Sequence, residues 1–344
     1  MTSKHSQRKN EHVSLAEKFF DYDSKSGFDR VRFIHQSLPE IDINEVDLST
    51  KIQNLKLEFP FYIEAMTGGS DYTKKLNDKL SKVAKATNIA MATGSQSIAL
   101  KDSSTIESFS IVRENYAGPI FANIGASHDL FDAKKVIEMI NADCLEIHIN
   151  VAQELIMPEG ERSFYWLNNI QNIVNNIDIP VIVKEVGFGM SKETIQKLKD
   201  IGVKNINISG RGGTNFATIE NFRRHNKELE YLSTWGQTTV ESLLEANKFS
   251  NELSIISSGG IRNPLDIAKS IAMGANAVGM SGLILNSVIK DGIEQTINLI
   301  NEFKNGLKTI MALLSCKTID QLQQKKLILD GELISYLKQR DISF

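Results

Sequence analysis

Eight short apolar runs recur along the chain, and they constrain its fold more than any other feature. They lie at residues 61–66, 89–93, 119–123, 144–149, 180–186, 205–209, 253–257 and 277–280. Most runs are followed by a polar or glycine-containing loop and then by a segment with helical periodicity. The runs are almost continuously apolar, which is typical of parallel strands covered on both faces. Eight such units predict an α/β fold, a closed (β/α)8 TIM barrel.

Two regions fall outside this repeat. Residues 1–58 are polar, which predicts an N-terminal arm and lead-in to the first strand. Residues 59–344 are expected to form the barrel with a C-terminal helical extension, in which a long helix from about residue 293 precedes a terminal helical pair. Residues 211–235 exceed the length of a tight βα turn, which predicts a lid or a mobile loop. We expect a single domain overall.

Charge and cysteine content exclude several partners and locations. The 344 residues include 39 Lys and Arg against 42 Asp and Glu, a formal net charge of −3, so nothing favours nucleic-acid binding. Cys144 and Cys316 lie far apart, which favours reduced thiols over a metal motif or a disulfide framework. The N-terminus has no apolar core, and no stretch of about 18 uncharged apolar residues occurs. We therefore expect a cytoplasmic protein without a membrane span.

Small and polar residues end the seventh and eighth runs. They are Ser258, Gly259, Gly260 and Arg262 after the seventh run, and Ser281 and Gly282 after the eighth. In a barrel these two loops commonly form a phosphate site, because small residues let backbone N–H groups and a helix N-terminus approach an anion. A single glycine pair would be explained equally well by a tight turn. Two such loops in neighbouring positions favour a phosphate site.

Polar residues also end the earlier strands. Lys184 interrupts the fifth run, where it must face the barrel mouth or be buried at large cost, unless it is simply a surface lysine at a strand end. Thr67, Ser95, Gln96 and Asn123 follow the first three runs. Hydroxyls and amides at successive strand ends can bind the polar edge of a planar heterocycle, although each alone would also fit a loop cap.

His148 lies near the end of the fourth run, and Asn150, Gln153 and Glu154 follow the run. Period-two spacing places His148 and Asn150 on one side of the chain. A single carboxylate does not enclose Mg²⁺, which usually keeps waters and shares substrate phosphate oxygens, so Glu154 predicts a joint metal and diphosphate site. The alternatives are a solvated loop carboxylate for Glu154 and a hydrogen-bonded core histidine for His148.

The N-terminal arm carries Arg8, Lys9 and His12 within five positions. A charged terminal run is usually solvated, which is the simplest interpretation from charge alone. Taken with the strand-end motifs, however, the arm and the His148-x-Asn150-x-x-Gln153-Glu154 string resemble the type 2 isopentenyl-diphosphate isomerase family. The similarity runs from about residue 8 to the C-terminal helices.

The resemblance implies an FMN enzyme, dependent on Mg²⁺ and active with reduced flavin, that converts isopentenyl diphosphate to dimethylallyl diphosphate in isoprenoid biosynthesis. It implies flavin-assisted protonation and deprotonation, NADPH as the reductant of the flavin, and a homo-oligomer, either a tetramer or an octamer. The residues that match the FMN ligands of the family are Ala65, Met66, Thr67, Ser95, Asn123, Lys184, Ser209, Thr214, Gly259, Gly260, Arg262, Ser281 and Gly282.

The resemblance also assigns the substrate side of the site. The residues that match the substrate ligands are Arg8, Lys9, His12, Ser95, Gln96, Ser97, His148 and Gln153. Glu154 matches the magnesium ligand, and Gln153, His148 and Asn150 are the predicted catalytic residues. Some members of the family have Arg where this chain has Ser97, so one diphosphate contact is weaker here or is supplied by another group.

Two other functions remain open from the sequence. An FMN oxidoreductase of the 2-hydroxy-acid oxidase type would share the barrel and its phosphate loops, with His148 as base and Arg211 for a carboxylate. It would leave Gln153, Glu154 and the basic arm without a role. A non-catalytic flavin-binding barrel is also conceivable, because a fold does not determine a function.

Overall fold

The strands form a closed parallel barrel, flanked by two small antiparallel pairs. The computed structural model describes residues 4–23 and 25–344. The strands are β1 (Val31–Phe33), β2 (Thr50–Ile52), β3 (Leu55–Leu57), β4 (Phe61–Ile63), β5 (Met91–Ala92), β6 (Ile120–Gly125), β7 (Cys144–His148), β8 (Val181–Lys184), β9 (Asn205–Asn207), β10 (Ser254–Ser258), β11 (Ala277–Met280) and β12 (Leu327–Leu329). Strands β4 to β11 follow one another around the barrel, and β11 pairs with β4 to close it. The prediction of a (β/α)8 barrel is confirmed.

The barrel strands coincide with the eight predicted runs, and β4, β5, β7, β8 and β9 are shorter than their runs. Every residue of β6 is buried, as expected for a strand with the barrel interior on one face and helices on the other. Several runs continue past the last ladder pair into the following loop, and this is where the polar strand-end residues lie. Lys184, the last residue of β8, pairs in register with His148, the last of β7, so both side chains start from one level of the barrel.

Helices alternate with the barrel strands and continue beyond them. They are α1 (Lys4–Lys18), α2 (Asp71–Thr87), α3 (Ser97–Lys101), α4 (Glu107–Asn115), α5 (Leu130–Ile140), α6 (Val151–Ile156), α7 (Leu167–Asn176), α8 (Lys192–Asp200), α9 (Phe216–Arg223), α10 (Thr239–Asn247), α11 (Pro264–Ala272), α12 (Gly282–Lys290), α13 (Ile293–Leu313), α14 (Ile319–Gln323) and α15 (Gly331–Gln339). Helix α2 begins at a capping box between Ser70 and Thr73, and its buried face carries Leu76, Leu80 and Val83. No helix in the described ranges is long and apolar enough to cross a membrane.

The N-terminal arm and the C-terminal extension pack on the barrel and on each other. Strand β1 pairs antiparallel with β12, with Val31 opposite Leu329. Val13 of the arm and Leu333 of α15 belong to the same buried apolar cluster as the barrel residues. The sequence missed β12, because a three-residue edge strand within helical sequence carries little pattern. The division at residue 58 stays a prediction.

Residues 211–235 contain more regular secondary structure than the sequence suggested. They contain α9 and a 3-10 turn at Glu230–Leu232, and Asn215 caps α9 by accepting a hydrogen bond from the Thr218 N–H. Ala217, Ile219 and Glu220 of α9 are buried. The prediction of a loop is therefore wrong for α9, whose eight residues were too few for a clear helical period, and the lid stays a prediction.

Candidate active site

A cavity of about 410 Å³ lies at the C-terminal ends of the barrel strands. This is the end at which barrels of this class carry out chemistry. The cavity brings together nineteen of the residues predicted from the sequence. They are Arg8, Lys9, His12, Ala65, Met66, Thr67, Ser95, Ser97, Asn123, His148, Asn150, Gln153, Glu154, Lys184, Ser209, Thr214, Gly259, Ser281 and Gly282.

Three predicted ligands do not line this cavity. Gln96 is fully buried behind it, where its side chain donates to the Val136 carbonyl oxygen over 2.9 Å and accepts from the Asn123 N–H over 3.1 Å. The expectation that the Gln96 side chain faces substrate is not met, because the fold uses both of its polar ends. Gly260 lies just beyond Gly259 and outside the lining.

Arg262, the third of these residues, is covered by the N-terminal arm. Its Nη2 donates to the Asp21 carbonyl oxygen over 2.8 Å, and its guanidinium carbon lies 4.9 Å from the centre of the Phe20 ring. Burial lowers the pKa of Arg262, although the negative charges of Asp266 and Asp21 act to raise it. In this arrangement Arg262 would have to exchange its contact with Asp21 before it could reach a ligand in the cavity.

One end of the cavity has the features of an anion site. Gly259 has φ +104°, and a Cβ there would lie 2.0 Å from the Gly210 carbonyl oxygen, so glycine is required. Helix α12 begins at Gly282, which lines the cavity together with Ser281 and Thr214. Helix N-terminal N–H groups and small hydroxyl residues suit a phosphate group.

Lys184 lies at the floor of the cavity. Its Nζ is 3.8 Å from Glu64 Oε1, and both side chains are almost fully buried. Burial acts to lower the pKa of Lys184, but the neighbouring carboxyl groups, Glu64 first among them, outweigh it, and the pKa is raised. The sequence analysis missed Glu64, although its position directly after β4 is a strand-end signal of the kind used for Lys184.

His148 stands beside this floor as a neutral imidazole. Burial, followed by the charges of Lys184, Lys9 and His128, lowers its pKa to about 3. Its Nδ1 is 2.9 Å from Asn123 Oδ1. Because the Asn123 amide group donates to Glu146, Oδ1 is the acceptor, and Nδ1 of His148 carries the proton. The other nitrogen, Nε2, is then the unprotonated one.

A hydrogen-bonded row of polar side chains follows β7. Asn150 Nδ2 donates to Glu154 Oε1 over 2.9 Å, and Gln153 Nε2 donates to Glu220 Oε1 over 2.9 Å. Glu220 is fully buried and also contacts His12 Nε2 at 3.0 Å and Arg223 Nη1 at 2.7 Å. The sequence analysis missed Glu220, because α9 lay within a segment interpreted as a loop.

The surroundings of Glu154 suit a cation that shares its ligands with substrate. Glu154 Oε2 accepts from the Glu161 N–H over 2.7 Å, and no ion pair to Glu154 occurs among the described residues. Nor do residues 4–23 and 25–344 contain a cluster of three or more His, Cys, Asp or Glu side chains that could hold a metal ion. One uncompensated carboxylate beside a cavity fits Mg²⁺ only if further oxygens come from a ligand or water.

The arm contacts the cavity mouth directly. In α1 the spacing of Lys9 and Val13 places both on one face, and Val13 is buried against the core. Lys9 Nζ donates to the Ser95 carbonyl oxygen over 3.4 Å, and Arg8 Nη1 lies 3.8 Å from Glu159 Oε1. Burial and the charge of Arg8 lower the pKa of Lys9 to about 8. These cations are therefore not a solvated terminal run.

A strand-end site suited to an anion, beneath a basic mouth, is typical of phosphate-binding barrel enzymes. The comparisons with known proteins give the family. The family described as FMN-dependent dehydrogenase matches residues 138–329. A mandelate oxidase variant covers 93% of this chain and 92% of its own with a TM-score of 0.63 at 14% identity. For a flavocytochrome b2 variant the shares are 97% and 85%, the TM-score 0.66 and the identity 17%. At these identities the likeness shows the fold alone.

Relatives of known name that are similar over nearly the whole chain identify the family more closely. The isopentenyl-diphosphate delta-isomerase of Latilactobacillus sakei is 54% identical over 98% of this chain and 97% of its own length. Proteins of that name from Staphylococcus epidermidis and Staphylococcus aureus are 50% and 48% identical, over 99% and 98% of this chain and 98% and 97% of their own. The chain belongs to the isopentenyl-diphosphate delta-isomerase family, within the larger group of FMN-dependent barrels.

Proposed function

We propose that the protein isomerises isopentenyl diphosphate to dimethylallyl diphosphate with FMN as its cofactor. The observation that supports this most is that Lys9 of the arm and Gln153 and Glu154 after β7 line the same cavity as the anion site around Gly282. The cavity therefore offers two separate places for anionic groups. A phosphorylated flavin and a diphosphate substrate would need both of them.

FMN fits the deeper part of the cavity. Its phosphate would lie at the α12 N-terminus and the Gly259 loop, and its ring edge would meet Thr67, Asn123 and Lys184. Reduced FMN would supply ring-nitrogen protons and an electron-rich face next to the carbons that change their bonding. The chain would bind and orient the ring and keep Lys184 charged beside it.

The substrate diphosphate would lie towards the mouth. Arg8, Lys9 and His12 would contact it from α1, and Ser95 and Ser97, whose hydroxyl oxygens lie 2.9 Å apart, would contact it from the second strand end. Lys101 lines the cavity one turn after Ser97 and supplies a cation near the position where some relatives carry Arg. Glu154 would hold Mg²⁺ together with diphosphate oxygens.

The hydrocarbon tail would lie between the flavin and Gln153. Gln153 is held by Glu220, so its amide is fixed at the place where the reacting carbons would be. Trp166, Phe216 and Met157 line the cavity and would exclude water from a cationic transition state. NADPH as reductant, the homo-oligomeric state and a cytoplasmic location are parts of the same proposal.

Oxidation of a 2-hydroxy acid has less support in the geometry. That function would need Arg211 at the cavity, but Arg211 does not line it, and its Nε points to the Gly236 carbonyl oxygen over 3.4 Å. His148 remains available as a base, but the basic arm would have no role.

The decisive experiment incubates the purified protein with FMN, Mg²⁺, a reductant and isopentenyl diphosphate. We expect dimethylallyl diphosphate to form by many turnovers without net consumption of reductant, because the double-bond shift balances its own electrons. The reaction is followed by product chromatography and by the absorbance of the reductant. Consumption of one reductant per product, or turnover of a 2-hydroxy acid alone, would contradict the proposal.

Glu154→Gln tests the metal assignment. Removal of the one carboxylate proposed for Mg²⁺ should raise the Mg²⁺ concentration needed for half-maximal activity by about tenfold or more, since Gln is a weaker ligand for a hard cation. Glu161→Gln is the matched control, because it removes a neighbouring cavity carboxylate and keeps the Glu161 N–H that donates to Glu154. Equal metal dependence in wild type and Glu154→Gln would remove Glu154 from the metal site.

A further inference from the structure

Two carboxyl groups lie inside the barrel below the cavity and have no role in the function proposed so far. Glu64 directly follows β4 and is 4% exposed, and Glu146 in the middle of β7 is completely buried. Glu64 lines the cavity floor. Glu146 precedes His148 by two residues on the same face of β7, so it lies one layer deeper. Two buried negative charges in one barrel would be costly unless protons or cations compensate them.

The phenol of Tyr62 bridges the two carboxyl groups. Its oxygen lies 3.1 Å from Glu64 Oε2 and 3.2 Å from Glu146 Oε1. A phenol has one proton to donate, so it can satisfy only one of two ionised carboxylates. The other carboxylate would then face the phenol oxygen lone pair to lone pair. The geometry therefore favours a further proton on one of the two carboxyl groups.

Glu64 has the partners of an ionised carboxylate. Asn207 Nδ2 donates to its Oε2 over 2.6 Å, and the Ala65 N–H donates to its Oε1 over 2.9 Å. Lys184 Nζ lies 3.8 Å from the same Oε1. Together with the Tyr62 hydroxyl group, these donors approach both oxygens of Glu64. No acceptor among these neighbours remains for a proton on Glu64.

Glu146 has the partners of a carboxylic acid. Asn123 Nδ2 donates to Oε2 over 2.9 Å, and the other oxygen faces only the Tyr62 phenol and Glu64. Burial raises the pKa of Glu146 strongly and the charge of Glu64 raises it further, whereas Lys184 and Asn123 act in the opposite direction. Donor counting and electrostatics therefore select the same residue for the extra proton.

This assignment leaves one full negative charge on the pair opposite the Lys184 cation. The groups that face Glu146 are Tyr62 and Glu64 from the β4 segment, Cys144 on its own strand, Asn123 on β6, Lys184 on β8 and, through Tyr62, Asn207 on β9. The thiol of Cys144 is neutral, because burial raises its pKa well above the ordinary value. Lys184 then faces one fully ionised carboxylate of the pair, Glu64. Glu185 also faces Lys184, and burial raises its pKa to about 7.

We propose that Glu64 and Glu146 form a positioning pair beneath the cavity, in which ionised Glu64 holds the Lys184 ammonium group and protonated Glu146 joins Glu64 to Asn123 and His148. The connection from Glu146 to His148 runs through the side chain of Asn123. Asn123 donates its amide to Glu146, and its Oδ1 is thereby fixed towards His148 Nδ1. Glu146 therefore determines which ring nitrogen of His148 carries its proton.

Glutamine substitutions distinguish the two carboxyl groups. Glu146→Gln replaces a protonated acid by an isosteric amide, whose NH2 can donate to Tyr62 while its carbonyl accepts from Asn123. We expect its dissociation constant for FMN to stay within about threefold of wild type. Glu64→Gln places an NH2 group against donors and removes the charge opposite Lys184, so FMN should bind about ten- to a hundredfold more weakly. Equal losses in the two variants, or a larger loss in Glu146→Gln, would overturn the assignment.

Infrared spectroscopy tests the proton directly and needs neither substrate nor turnover. At neutral pH the wild-type holoprotein minus Glu146→Gln difference spectrum should contain the carbonyl band of a protonated carboxylic acid. The band should persist in the Glu64→Gln variant if that variant folds. If the variant does not fold, the wild-type minus Glu146→Gln spectrum alone decides whether Glu146 is protonated. A carboxylate band in place of the acid band would refute the proposal.

The FMN-affinity arm of this test rests on the proposed function, whereas the infrared arm does not. Failure of the isomerase assay with the acid band present would overturn the function and leave the pair intact. An active isomerase without the acid band would do the reverse.

Discussion

The floor of the cavity is built from barrel residues, whereas its mouth is built from the arm, α9 and the loop after α6. At the floor, Lys184, Asn123 and His148 project from strands whose ladder hydrogen bonds fix their positions. At the mouth, α1 is held to α9 by ion pairs such as Arg223 Nε to Glu11 Oε2 at 3.1 Å. Partly exposed ion pairs contribute little stability each.

This difference between floor and mouth suits two separate tasks, cofactor binding at the floor and substrate binding at the mouth. Strand pairing holds the floor residues in place, which suits a cofactor that stays in place through many turnovers. At the mouth, Arg8 and Lys9 have weak partners, a carboxylate oxygen at 3.8 Å and a carbonyl oxygen at 3.4 Å. A diphosphate can replace both at small cost. We therefore expect changes at the floor to affect FMN binding and changes at the mouth to affect substrate binding.

The largest effect is expected from Lys184→Ala. The substitution removes a proposed FMN contact and leaves Glu64 buried without its cation, which typically costs about 3–5 kcal/mol of stability. FMN should also bind at least about tenfold more weakly. Flavin fluorescence titration and thermal unfolding measure the two effects. Lys101→Ala, which removes an exposed lysine at the rim of the same cavity, should change neither quantity. Wild-type FMN affinity in Lys184→Ala would break the distinction between floor and mouth.

The sequence predicted the floor better than the mouth, for a physical reason. Strand ends of a parallel barrel meet at one face, so Lys184, Asn123 and Ser281 could be placed together as soon as the eight runs were identified. The contact between α1 and α9 depends on tertiary packing between segments about 200 residues apart, which no local pattern encodes.

Single buried polar residues were also difficult to assign. Gln96 was predicted as a ligand because it lies at a strand end, but its side chain turns away from the cavity to satisfy buried backbone groups. Glu64 and Glu146 were overlooked because an acidic residue within an apolar run does not reveal its partners. Their importance depends on Tyr62 and Asn207, and these become neighbours only when the barrel closes.

A smaller effect, confined to substrate, is expected from Arg8→Ala and Lys9→Ala. A charge-assisted contact to phosphate typically contributes about 1.5–3 kcal/mol, so each substitution should raise the Michaelis constant by about ten- to a hundredfold. FMN affinity should hardly change. Steady-state kinetics with isopentenyl diphosphate and flavin titration measure the two quantities.

Lys18→Ala is the matched control for the arm. Lys18 ends the same helix, but its Nζ lies 4.1 Å from the centre of the Phe222 ring and does not face the cavity. We expect a wild-type Michaelis constant in this variant. The assignment of the arm to substrate binding fails if the Arg8→Ala, Lys9→Ala double variant also keeps the wild-type value.

The smallest effect should appear in the pH profile and comes from the lowered pKa of Lys9. Burial, reinforced by the charge of Arg8, brings this pKa to about 8, so the free protein loses the Lys9 charge as the pH rises through that value. An uncharged amine attracts a diphosphate less, and kcat/KM should therefore fall above about pH 8. Lys9→Arg keeps its charge and should abolish this descending limb. Arg8→Ala should move the limb to higher pH, because it removes the neighbouring positive charge. Lys184→Ala is the control, because a floor residue should not change the pH at which the descending limb of kcat/KM lies. If Lys9→Arg kept the descending limb, the limb would have to arise from a group other than Lys9.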